Sequence, residues 1–135
     1  MLNIVVAYDG SDTAKRALDR AAELAKDGAT VTVVSAVHVH PPAGRSAGPI
    51  DQGEVSERRQ ELAEAEALLG EKGIKPELVE GHGDPGEVIV DQAKESGADL
   101  IVVGTRGLNV AERMLLGSVS TKVLHDAPCD VLVVR

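Results

Sequence analysis

The segment Leu100-Ile101-Val102-Val103-Gly104-Thr105-Arg106-Gly107, followed after nine residues by Gly117-Ser118-Val119-Ser120, decides how this chain reads. A short aliphatic run ending in glycine reads as a buried strand. Gly104 and Gly107 let the backbone turn sharply there and come close to a ligand. The small residues Gly117, Ser118 and Ser120 open the next helix, whose first N–H groups have no partner inside the helix. Strand, glycine turn and small-residue helix start together are the parts of an anion site, and the expected anion is a phosphate.

The same alternation extends through the rest of the sequence. Leu2 to Tyr8 reads as a short apolar strand, and Asp9-Gly10-Ser11-Asp12 as a turn carrying helix-capping residues. The helix that follows places Ala14, Ala17, Leu18, Ala21, Ala22 and Ala25 on one face and ends at Asp27-Gly28. Thr30 to Val39 reads as a second strand, and the proline- and glycine-rich stretch from Pro41 to Pro49 as a loop. Glu54 to Lys72 forms a strongly charged helix closed by Gly73, with a solvated face and i,i+4 pairs such as Glu54–Arg58. Lys75 to Glu80 is a third strand, and Asp84-Pro85 opens a helix with proline in its first turn. Asp99 to Val103 is the fourth strand, Ser118 to Asp126 the fourth helix and Asp130 to Arg135 the last strand.

Strands alternating with helices imply right-handed crossovers. The expected fold is α/β: a single doubly wound open sheet of five mainly parallel strands, order 3-2-1-4-5, with helices on both faces. It forms one domain over residues 1–135. Such sheets bind ligands beyond the strand C-termini, where the winding reverses. In this order the reversal falls between the strands ending in Asp9-Gly10 and in Gly104, so the two ligand-like loops become neighbours.

Composition agrees and excludes several classes. Hydrophobic residues make up 43% of the 135 positions, with no Phe or Trp and Tyr8 as the single aromatic. An aliphatic core of this kind suits a parallel sheet covered on both faces. The lack of aromatic platforms argues against single-stranded nucleic-acid binding, and a net charge of −8 against nonspecific nucleic-acid or anionic-membrane surfaces. Cys129 is the one cysteine, so no internal disulfide forms; with no signal or spanning segment read in the sequence, a cytoplasmic location is expected.

With these elements in place the chain resembles the universal stress protein family over essentially its whole length. The resemblance rests on Val5-Val6-Ala7-Tyr8-Asp9-Gly10-Ser11, on Gly83-Asp84-Pro85, on Ala98 to Gly107 and on Ala127-Pro128-Cys129-Asp130-Val131-Leu132-Val133-Val134. The family's ATP-binding branch carries glycine, two residues, glycine, nine residues, then glycine and Ser or Thr. Gly104, Gly107, Gly117 and Ser118 match that spacing without a gap. The resemblance implies ATP, with its phosphates on Gly104, Thr105, Arg106 and Gly107 and on the helix start at Gly117, Ser118, Val119 and Ser120. Asp9, after Ala7 and Tyr8, would face the ribose or the phosphates, the latter through Mg²⁺. Ala36 and Val37 would flank the adenine through their backbone.

The resemblance also implies a homodimer through the last strand, Val131 to Val134, whose apolar edge needs covering. The nucleotide would act as a signal or conformational latch in a stress response, ordering residues 108–116 for a protein partner that the sequence does not name. Two alternatives stay open: a slow Mg-dependent ATPase or adenylate-transfer enzyme, and a nucleotide-free dimeric interaction module. A fast ATPase is not expected, because the P-loop pattern with its phosphate-binding lysine is absent. Arg106 and Arg113 could offset anionic charge, whereas His38 and His40 lack the further ligands of a zinc site. His82 and His125 have no evident nucleophilic partner, and Cys129 reads as a small residue entering the last strand.

Overall fold

A computed structural model describes residues 2–26, 28–37, 52–105 and 117–135. Strands β1 (Asn3–Ala7), β2 (Thr30–Val37), β3 (Glu77–His82), β4 (Leu100–Gly104) and β5 (Asp130–Val134) alternate with helices α1 (Asp12–Leu24), α2 (Gln52–Glu71), α3 (Pro85–Ser96) and α4 (Ser118–Asp126). The sheet order is β3-β2-β1-β4-β5, and every pairing is parallel rather than mostly so. The central strands carry unbroken apolar runs because both of their faces are covered.

Successive side chains of a strand point to opposite faces, and the two cores divide accordingly. Ile4 and Val6 of β1, Val31 and Val33 of β2 and Val102 of β4 meet Ala17, Leu18 and Ala21 of α1 and Leu62, Ala65 and Leu69 of α2. On the other face Val5, Val34, Ile101 and Val103 meet Ile89, Val90 and Ala93 of α3 and Val123 of α4. The small alanines on the inner face of α1 allow close approach to the sheet, which is why so aliphatic a chain can fill its core without large rings.

Some boundaries differ from the expectation. β3 starts at Glu77 rather than Lys75, and α2 starts at Gln52, two residues before Glu54. Of the second strand, positions 38 and 39 lie outside the described residues, as does the whole stretch from Pro41 to Pro49. The charged helix is only partly the solvated face that its composition suggests. Arg58 and Glu61 keep 16% and 17% of their side-chain surface exposed, because α2 lies over the sheet's C-terminal end and turns these charges inward. No helix among the described residues is long and apolar enough to cross a membrane.

Candidate functional site

The winding reverses at β1, which has β2 on one side and β4 on the other. Beyond the C-terminal ends of these strands opens a cavity of 330 Å³. This volume falls at the lower end of the usual range for small-molecule sites. The β1 end contributes Ala7, Tyr8 and Asp9; the β2 end contributes Val34, Ser35 and Ala36; the β4 end contributes Val103, Gly104 and Thr105. Gly117, Ser118, Val119 and Ser120 close one side, and Glu54 and Arg58 of α2 the other.

Each strand end is shaped by its own local chemistry. Asp9 accepts a hydrogen bond from the Ser11 backbone N–H at 2.9 Å, folding the chain into a tight turn. Gly10 takes φ +81° at that turn, a conformation open to glycine and strained for other residues. Ser11 then caps α1 by accepting from the Ala14 N–H at 3.2 Å. The Tyr8 side chain is 2% exposed and its hydroxyl donates to Glu64. Burial pushes the Tyr8 phenol well above its ordinary range, and the Glu64 bond adds to the rise.

Gly104 lines the cavity and is also required by the packing of α1 on β4. A Cβ there would lie 2.5 Å from Thr13 Oγ1 and 2.9 Å from the Thr13 carbonyl carbon. The start of α1 therefore presses against the end of β4, and that packing leaves no room for a side chain.

The α4 start is held by backbone bonds and by two hydroxyls of its first turns. Gly117 donates to the Thr105 carbonyl at 2.8 Å, and its own carbonyl accepts from Ser120 Oγ at 3.0 Å and Thr121 Oγ1 at 2.9 Å. Among the described residues no side chain caps this helix. Its first-turn N–H groups have no partner within the helix, and the positive end of the helix dipole points at the cavity. The Ser120 hydroxyl is buried and donates inward, whereas Ser118 is exposed at the cavity rim.

The described wall carries two carboxylates, Asp9 and Glu54, and one guanidinium, Arg58. Arg58 Nε lies 2.7 Å from Glu61 Oε1, and Nη2 donates to Glu61 Oε2 at 2.9 Å. Burial pushes the Glu61 carboxyl up; Arg58 pulls it down, and the charge of Asp9 adds to the rise. No His, Cys or Lys lines the described part of the cavity. Among the described residues no three metal-ligating side chains come together. Asp9 alone is nevertheless a sufficient donor set for Mg²⁺, which usually takes one or two carboxylates and completes its shell with phosphates and water.

Of the expected site residues, Ala7, Tyr8, Asp9, Ala36, Gly104, Thr105, Gly117, Ser118, Val119 and Ser120 all line this one cavity. Val37 does not: it is 1% exposed and packed in the sheet, and its carbonyl accepts from the Gly83 N–H at 2.9 Å. Arg106, Gly107, Arg113, His38 and His40, with residues 108–116, lie outside the described residues. His82 sits instead beside Glu80, with Nε2 2.8 Å from its carboxylate, and His125 beside Asp126. The sequence reading missed Ser35, Glu54, Arg58, Pro85 and Ile89 as wall residues. Pro85 had a signal, since it follows Gly83-Asp84 at a helix start; Arg58 had none that separates it from a solvated charge.

A sequence model described as the universal stress protein family matches residues 1–135. A curated relative from Thermus aquaticus, the universal stress protein in the QAH/OAS sulfhydrylase 3' region, is 43% identical, covering 98% of this chain and 97% of that protein. Among solved structures, the universal stress protein from Archaeoglobus fulgidus in complex with dAMP superposes with a TM-score of 0.78 at 30% identity, covering 100% of this chain and 98% of that one. A universal stress protein in complex with cAMP gives a TM-score of 0.74 at 32% identity, covering 99% and 96%.

Proposed function

The chain belongs to the universal stress protein family, and on that premise we propose that its cavity binds an adenine nucleotide as a regulatory ligand. The observation that carries this reading is the start of α4, capped by no side chain among the described residues, facing a cavity at the reversal of the sheet. Free N–H groups and the helix dipole favour an anion at that end. The complexes of related proteins with dAMP and cAMP support an adenine nucleotide as the ligand class.

In its finer form the ligand is ATP. Its phosphates lie at Gly117, Ser118 and Val119 and on the loop after Gly104. Asp9 meets the ribose, or the phosphates through Mg²⁺, which would screen the repulsion between carboxylate and phosphate. The adenine lies beside Ala36. Binding acts as a latch in a cytoplasmic stress response, shifting the population of surfaces offered to a partner by differential affinity. Binding is preferred to rapid hydrolysis because the described wall offers carboxylates and hydroxyls but no lysine or histidine to drive phosphoryl transfer.

The test is calorimetry with Mg-ATP on protein stripped of nucleotide, alongside Ser118→Asp. An aspartate in the first turn of α4 favours the helix, so the variant folds, while its charge repels phosphate where the ligand needs N–H donors. Wild-type binding that weakens by tenfold or more in the variant, about 1.4 kcal/mol or more, supports the site. No heat with folded wild type removes the nucleotide reading and leaves an interaction module. ADP accumulating with Mg²⁺ and lost in Asp9→Ala would instead favour the slow ATPase.

A further inference from the structure

A nucleotide whose phosphates meet the start of α4 lies with that end on the β4 side of β1. Its base then falls on the β2 side, where Ser35, Ala36, Glu54 and Arg58 form the wall. Proteins hold a purine largely by its flat face, with an aromatic ring or a guanidinium plane as the platform. This chain has Tyr8 as its single aromatic residue. Tyr8 is buried, with its hydroxyl tied back to Glu64. Arg58 is the other described wall residue with an extended flat group.

Arg58 is also held as a platform must be. Its Nη2 donates to Glu61 Oε2 at 2.9 Å, and its Nε lies 2.7 Å from Glu61 Oε1 as an ion pair without a hydrogen bond, so Glu61 anchors one edge of the guanidinium. Glu61 is not part of the wall but stands behind it, with Ser35 Oγ 3.5 Å from its Oε1. Glu57 lies 3.3 Å from Nη2 and Glu54 3.8 Å from Nη1. With its charge compensated on several sides and 16% of its side chain exposed, Arg58 is poorly suited to chase a phosphate. It is well suited to lie against an uncharged ring, because a guanidinium stacks on aromatic faces where an ammonium cannot.

We propose that the guanidinium of Arg58, anchored by its pairing with Glu61, is the surface on which the base of the bound nucleotide stacks. Arg58 is then a base-contacting residue and Glu61 its positioning residue. The inference rests on the nucleotide reading above and deepens it. Lysine at this position keeps the charge but loses the plane, so Arg58→Lys separates stacking from electrostatics.

The experiment measures affinity for AMP and for ribose 5-phosphate in wild type, Arg58→Lys and Glu61→Gln, all stripped of nucleotide. A ¹H–¹⁵N spectrum follows the Arg58 Nε–H during each wild-type titration. Stacking predicts AMP binding about fivefold to tenfold weaker in Arg58→Lys, a smaller loss in Glu61→Gln and no change for ribose 5-phosphate. It also predicts an upfield ring-current shift of the Nε–H with AMP and none with ribose 5-phosphate. The spectrum needs only wild type, so a variant that fails to fold does not shield the idea. Unchanged AMP affinity in Arg58→Lys overturns it, as does equal weakening of both ligands or a stationary Nε–H. Wild type that binds neither AMP nor Mg-ATP removes the nucleotide reading and this inference together, whereas the other failures leave that reading standing.

Discussion

Tyr8 and Gly104 end neighbouring strands at the cavity, and in each a contact from outside the cavity sets the local chemistry. For Gly104 that contact is Thr13 of α1, so a glycine that reads as a ligand loop is required first by the packing of helix on strand. For Tyr8 it is Glu64 of α2 together with burial, and both raise the phenol pKa. The folded state therefore holds this proton more tightly than the unfolded chain does. The resulting stability is fully present below about pH 10 and is lost as the pH rises above it. Because Tyr8 is the only aromatic residue, tyrosinate absorbance reports it alone. The expected titration begins well above that of the same protein in denaturant; coincident curves would show that Tyr8 is not buried against Glu64. Neither contact is legible in sequence, since Thr13 is separated from Gly104, and Tyr8 from Glu64, by long stretches of chain.

At the scale of elements, the helix starts divide into two kinds. Ser11 caps α1, and Asp84 caps α3 by accepting from the Glu87 N–H at 3.1 Å, with Pro85 in the first turn. α4 begins at Gly117 with no side-chain cap among the described residues. Two capped ends contribute stability, and in the proposed reading the third leaves its donors to a ligand. Asp84→Ala should therefore cost about 1 kcal/mol, read as a lower denaturant midpoint with an unchanged slope. The same measurement on Gly117→Ser should show no loss, because serine at an N-cap supplies an acceptor of its own. These starts were largely readable in advance, since capping depends on residues within one turn. The inward lean of α2 was not. Its acidic run is consistent with a solvated face, and only the sheet beneath it turns Arg58 toward the cavity, with Glu61 behind it.

Across the whole molecule the two sheet edges differ. β3 presents Glu77, Glu80 and His82, with Arg59 paired to Glu80 at 2.7 Å, so its edge is charged and resists pairing with another strand. β5 presents the half-buried Val131, Leu132 and Val133 beside the buried Val134, an apolar edge that we propose a second copy covers. Association through β5 predicts a dimer by sedimentation equilibrium and a monomer for Val131→Lys, whose long stem can carry its charge to the rim. A monomeric wild type at the highest soluble concentration would refute this arrangement.

The sequence by itself determined the five strands, their order and the parallel winding, and it singled out most of the loop residues that line the cavity. Each of those follows from periodicity, glycine and capping signals acting over a few residues, and from connection rules that leave only a handful of arrangements. Tertiary structure alone decided that Gly104 answers to Thr13, that Val37 stays in the core and that Arg58 and Glu54 reach the cavity wall. Those outcomes depend on distances between elements remote in sequence. Such distances arise only when helices pack on the sheet, and no local pattern encodes them.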